Sequence, residues 1–305
     1  MIYFAPLITL FPKNFSFYRN LFQAFIIFGV AYLLLDVFFI KNLLYSGDNK
    51  ISQGIVENLT ELSLPIGFIL LTYVYHPAKT NLFAIGIIIV TLLFAIIRAR
   101  RGLVFITFNI ILFSYLTYFL GSKRKVLILY FSVLTIILGI FYASNIYNIS
   151  NNKLLGYLAN RSTADTRTVV ELYFYDDMKT IDWIAGRSIQ GQYFCPDLEE
   201  DQATDYRSVI ETGYLQIILK GGIISLGLLL LIMLPALIKG IFFSRNHLSK
   251  AAGIWIFLFL INLYPQNAVA FNFSYLLVWI SVGICFSKNI RKMSDKEIRE
   301  NLYLQ

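Results

Sequence analysis

Long apolar runs restrict this chain more than any motif does. Eight segments, residues 21–40, 62–75, 82–97, 103–120, 126–147, 214–238, 251–263 and 269–286, carry few or no charges. Inside a bilayer no water satisfies backbone N–H and C=O groups, so a chain crosses as helices or as a closed barrel. A helical crossing takes about 20 apolar residues. The runs therefore predict an all-α, polytopic transmembrane helical bundle of about eight spans, or nine. Runs 62–75 and 251–263 are short, and are expected to gain length from their flanks or to be tilted or broken. The opening MIYFAPLITLF is shorter still and reads as an interfacial segment or a partial helix. It lacks the charged start and small-residue cleavage site of a signal peptide. Composition agrees: 14% of the 305 residues are charged, against about 25% in soluble domains.

Lys and Arg in short loops set orientation, because they are retained on the cytoplasmic side. SKRK (122–125), KGIFFSRNHLSK (239–250) and KNIRKMSDKEIR (288–299) all fall on one side of the eight-span order, which is read as the cytoplasm. Lys13 and Arg19 agree. Of 18 acids, Asp295, Glu297 and Glu300 alone fall there. The +8 net charge thus belongs to membrane sidedness and does not call for a nucleic-acid partner. One cluster disobeys. RARR (98–101) lands on the outer face. Either the topology is inverted there, or three permanent cations are held at the membrane surface for a function. The second reading violates the orientation rule less, and charges at membrane depth mark substrate or ion sites.

Between the fifth and sixth runs lies the sizeable polar segment, residues 148–212. Its aromatic content in ELYFYDD, DWIAG and QYF predicts a folded cap with short amphipathic helices. DLEED (197–201) invites a divalent cation, but its spacing matches no calcium loop, and a solvated surface is preferred. Both histidines, His76 and His247, fall on the cytoplasmic side, so an outer general base would be a carboxylate, Tyr or Lys. Cys195 and Cys285 lie in different environments and are not expected to pair. The chain divides into helices over 1–147, the cap over 148–212, helices over 213–287 and a basic tail over 288–299. ENLYLQ (300–305) resembles a protease-site remnant and is set aside from the functional reading.

Three stretches, in order, resemble the O-antigen polymerase and ligase superfamily (the Wzy-type polysaccharide polymerases). They are RARRGLVFITFNIILF, DTRTVVELYFYDDMKTIDWIAGRSIQGQYF and ETGYLQIILKGGIISLGLLLL, together about residues 95–237. The resemblance implies a glycosyltransferase of the bacterial inner membrane. It would act at the periplasmic face on oligosaccharide repeat units carried by undecaprenyl pyrophosphate, building O-antigen, capsule or exopolysaccharide. It implies no metal and no cofactor; the further partners are membrane lipids and a chain-length regulator protein. Arg101 and Arg167 match the family arginines and are assigned to the pyrophosphate, whose oxygens suit planar guanidinium groups. Arg98 and Arg100 share that role or bind anionic lipid headgroups. Arg187 beside the loop turn is a further substrate-binding candidate. The alternative for each loop arginine is a salt bridge with an acid such as Asp165 or Glu171.

The ligase branch has a His where this chain has Glu211 or Thr212, and Ser188 replaces the second glycine of the loop turn. Loss of the His favours a polymerase over a ligase. Glu211, where the loop re-enters the membrane, is either the general base or a helix-start carboxylate. Tyr214 holds a sugar or anchors at the interface. Lys220 snorkels outward or lines the lipid groove. Gly221 and Gly222 are expected to permit close helix packing. YPQNAVAFN (264–272) is expected as a tight turn. A transporter for an anionic lipid or polysaccharide is the competing class; Asp36, near the end of the first run, is the acid that feeds it.

Overall fold

In the computed structural model, which describes residues 2–10, 14–43, 50–98, 100–122, 125, 166–196, 205–267 and 272–303, the apolar runs are helical where they fall within those residues. The opening segment is a 3-10 helix, Ile2–Leu10, packed against a later helix through buried Ala5. Helix α1 (Phe15–Phe38) begins at Asn14, whose side chain accepts the Phe17 N–H at 3.1 Å. Such an acceptor satisfies one of the four unpaired amides of a helix start. Helices α2 (Ile40–Leu43) and α3 (Lys50–Ser63) follow. The run at 62–75 is broken. A 3-10 turn at Leu64–Ile66 forms around Pro65, then come α4 (Gly67–Leu71) and a second 3-10 turn, Tyr73–Tyr75. Proline has no N–H for the helical ladder, which accounts for the break. Helices α5 (Ala78–Ile97) and α6 (Arg101–Gly121) are continuous. The expected fifth span, 126–147, lies outside the described residues, as do the cap positions 148–165 and 197–204.

The cap holds α7 (Thr166–Asp177) and α8 (Thr180–Ala185). A two-stranded antiparallel ladder joins β1 (Tyr193–Phe194) to β2 (Tyr206–Arg207), a small exception to an all-helical expectation. Val170, Phe174 and Met178 recur every four residues, forming one stripe of α7 that runs on past its end. That stripe packs with Tyr193, Cys195 and Ile210 onto Leu215, Ile218 and Leu219 of α9 (Gly213–Phe242). The chain closes with α10 (His247–Asn262), α11 (Phe273–Phe286), α12 (Lys288–Lys292) and α13 (Asp295–Tyr303).

Length sorts the helices. Among the described residues, α1, α5, α6 and α9 are long and apolar enough to cross a membrane. Between 22% and 33% of their apolar windows is buried, and side chains such as Leu34, Leu82 and Leu231 are exposed. Such a surface suits hydrocarbon and would be costly in water, so the protein is membrane-embedded. By contrast α10 and α11, of 16 and 14 residues, span about 24 and 21 Å at the helical rise. They are mostly buried and form the centre, where Phe25, Phe68 and Trp255 meet edge to face.

The bundle has two polar ends. Arg101, the cap and the turn after α10 lie at one. At the other, α13 docks through Ile298 and Leu302, both buried. His247 and Tyr75 bind Asp295 there. The stretch set aside as a remnant therefore takes part in the packing: α13 continues through Tyr303, and Leu302 is 1% exposed.

Candidate active site

Four chain segments meet at the turn after α10. The Arg167 guanidinium, at the start of α7, donates from Nη2 to the Pro265 carbonyl at 2.8 Å. The Gly213 N–H, at the start of α9, donates to the Leu263 carbonyl at 2.8 Å. Gly102, the residue after Arg101, lies so close to Gln266 that a methyl group there would come within 2.6 Å of its side-chain oxygen. The segments that carry Arg101, Arg167 and Glu211 are thus neighbours, although the residues are 110 positions apart at the extremes (101 to 211).

Arg167 and Glu211 are partners. Nε and Nη2 of Arg167 donate to the same Glu211 oxygen at 3.3 and 3.0 Å. The side chains are 38% and 70% exposed, so this is a surface pair. Of the acids expected as partners for Arg167, Asp165 lies outside the described residues, and Glu171 accepts the Thr212 hydroxyl instead. On the other flank the Gln216 side chain accepts the Ile210 N–H at 2.8 Å and donates to the Ser208 carbonyl at 3.3 Å. Gln216 on the backbone before Glu211 and Glu171 on the Thr212 side chain after it therefore hold the segment, while the Glu211 side chain stays exposed. A cavity of about 260 Å³ opens beside it, lined by Val170, Tyr206, Arg207, Ser208, Val209 and Glu211. Tyr206 and Gln216 were not singled out by the sequence, because nothing local tells that residues 206–216 fold back on themselves.

The arginine cluster divides. Arg101 is exposed at the first turn of α6. Arg98 is 2% exposed at the end of α5, where a cation complements the helix dipole. Burial to that extent takes Arg98 away from both tasks expected of it, sharing the pyrophosphate and binding anionic lipid headgroups. Arg100, half-buried, precedes α6.

Other expected ligands are engaged within the protein. Arg187 donates to Asp177, to Asp182 at 2.9 Å and to the Gln192 carbonyl at 2.8 Å, which builds the cap rather than a substrate site. Burial would raise the Asp182 carboxyl, but the Arg187 guanidinium and the Lys179 N–H outweigh it and hold it below the usual carboxylate range. The Tyr214 hydroxyl donates to the Leu260 carbonyl, so Tyr214 ties α9 to α10 instead of reaching for a sugar. Lys220 donates to the Gly191 carbonyl at 2.8 Å and so reaches into the cap.

Gly221 and Gly222 allow the close packing expected of them, and what packs there is the end of the cap helix α8 with Gly186. Gly222 interrupts α9 with φ 68° and ψ −176°, and the kink frees the Leu219 carbonyl, which accepts the Arg187 N–H at 2.7 Å. A methyl group on Gly222 would come within 2.0 Å of the Ile184 carbonyl oxygen. The facing turn has Gly186 at φ 75° and Ser188 at φ 71°, so Ser188 adopts a backbone that favours glycine.

The chain matches no protein-family model, no curated protein and no solved structure.

Proposed function

We propose that this protein is a membrane glycosyltransferase that polymerises oligosaccharide repeat units carried on a lipid diphosphate such as undecaprenyl pyrophosphate. The observation that supports the reading is the meeting of three segments at one turn: exposed Arg101, Arg167, and Glu211 beside a cavity. Two guanidinium groups suit a diphosphate, and preorganised cations stabilise the charge that grows on a leaving group. The acceptor sugar sits in the cavity, with its hydroxyl toward Glu211. That hydroxyl gives its proton to the carboxylate while its oxygen bonds to the donor's anomeric carbon. The bond from that carbon to the diphosphate oxygen breaks, and its electron pair leaves with the diphosphate. On this reading the cap end faces the periplasm of the bacterial inner membrane.

One observation favours a transporter instead. Asp36 is 4% exposed inside α1, next to Tyr32, and an acid at membrane depth often marks an ion path. Proteoliposomes loaded with lipid-linked repeat units separate the two. A ladder of longer glycans is expected, and it should vanish in Arg101→Ala and Arg167→Ala at unchanged protein yield. Normal ladders from both variants would remove the phosphate assignment, and substrate crossing without bond formation would support transport.

A further inference from the structure

The two residues given opposite tasks above hold each other. Arg167 spends Nε and Nη2 on Glu211, and Nη2 also serves Pro265. A phosphate gripped by two parallel N–H bonds needs two adjacent donors of one guanidinium. Glu211 holds the side-on pair, Nε with one N–H of Nη2, while Nη2 also donates to the Pro265 carbonyl. That carbonyl is part of the turn after α10, whereas the carboxylate ends an exposed side chain, so a two-point grip through Nε and Nη2 requires the carboxylate to give way.

It can do so at small cost. Exposed ion pairs contribute little, because water screens both charges and two long side chains must be ordered. A diphosphate brings more charge than a single carboxylate and displaces it. The backbone around Glu211 cannot follow, since Gln216 and Thr212 anchor it on both sides. The side chain alone swings, and the cavity lined by Tyr206, Arg207 and Ser208 is the open space beside it.

We infer that Glu211 and the donor's diphosphate compete for the Arg167 guanidinium, so that donor binding releases the base into the acceptor cavity. This rests on the polymerase reading and adds an order to it: the carboxylate stays occupied until the diphosphate is in place, and acceptor activation follows donor binding.

The test uses the full chain in nanodiscs of neutral phosphatidylcholine, titrated with undecaprenyl diphosphate. Glu211→Gln keeps the shape of the side chain but removes its charge. It is expected to bind the diphosphate about two- to fivefold more tightly than the natural protein, the range an exposed ion pair supplies, while making polymer more slowly. Arg167→Lys, which keeps a charge but loses the fork, is expected to bind more weakly. Thermal unfolding of each variant controls for folding. Affinity unchanged or weakened in Glu211→Gln, with binding still dependent on Arg167, overturns the competition and leaves the polymerase reading standing. Equal affinity in the natural protein and in an Arg101→Ala, Arg167→Ala double variant overturns the phosphate site, and the competition falls with it.

Discussion

Glu211 owes its position to its neighbours. The Thr212 hydroxyl binds Glu171, Gln216 binds Ile210 and Ser208, and Arg167 reaches across from another helix. At the opposite end Asp295 plays the matching structural part. It accepts the Tyr75 hydroxyl, and it accepts the His247 backbone N–H and pairs with His247 Nδ1, both at 2.7 Å. Burial pushes the Asp295 carboxyl up, but the His247 and Tyr75 hydrogen bonds outweigh it and leave it below the usual carboxylate range. A group lowered in this way stabilises the fold above its unfolded-state pKa, and the contribution fades as pH falls through the folded value. Asp295→Asn is therefore expected to cost about 1 kcal/mol at neutral pH, a figure held down because 38% of the side chain is exposed. Thermal unfolding in detergent should show the gap to the natural protein closing in acid, below the usual carboxylate range. A gap that persists there would assign the loss to shape and not to charge.

Among the elements, α9 does two jobs. Beyond Gly222 it is an ordinary apolar span; before it, the helix carries the cap. The kink works because glycine reaches φ 68° with no Cβ penalty and because the α8 turn fills the space a side chain would take. Gly222→Ala is expected to destabilise cap docking by about 1–3 kcal/mol and to abolish polymer. Limited proteolysis should then cut near Arg187 faster than in the natural protein, and an unchanged rate would mean the kink does not hold the cap. The paired glycines stand out in the sequence, and a small-residue pair inside a span reads naturally as helix packing. That their partner is the end of α8 and the turn after it depends on residues 184–187 arriving from the cap, which no local pattern reveals. Helix α3 escaped for a related reason: its polar residues hide it from a hydropathy reading, and α1, α5 and α11 supply the apolar surface it packs against.

For the whole molecule, the consequence to check is that Arg101 and the cap share an end of the bundle while His247 and the tail helix share the other. Single cysteines placed at Ser188 and at Lys296, both exposed, are expected to react with an impermeant thiol reagent from opposite sides of inverted and right-side-out vesicles. Labelling of both from one side would contradict the arrangement. The compartment each end faces follows from the same measurement.

The sequence by itself determined that this chain is a bundle of membrane helices, because span length and hydrocarbon thickness are matched within a single segment. It also marked Arg101, in the RARR cluster, as out of place by the orientation rule, whereas Arg167 and Glu211 were singled out only through the resemblance. The tertiary structure alone decided that Arg167 meets Glu211 and not Glu171, that Arg187 and Tyr214 are spent inside the protein, and that Arg98 is buried while Arg101 is not. Charge pairing depends on distance in space, and partners 44 and 98 residues apart come together through helix packing that no single segment encodes.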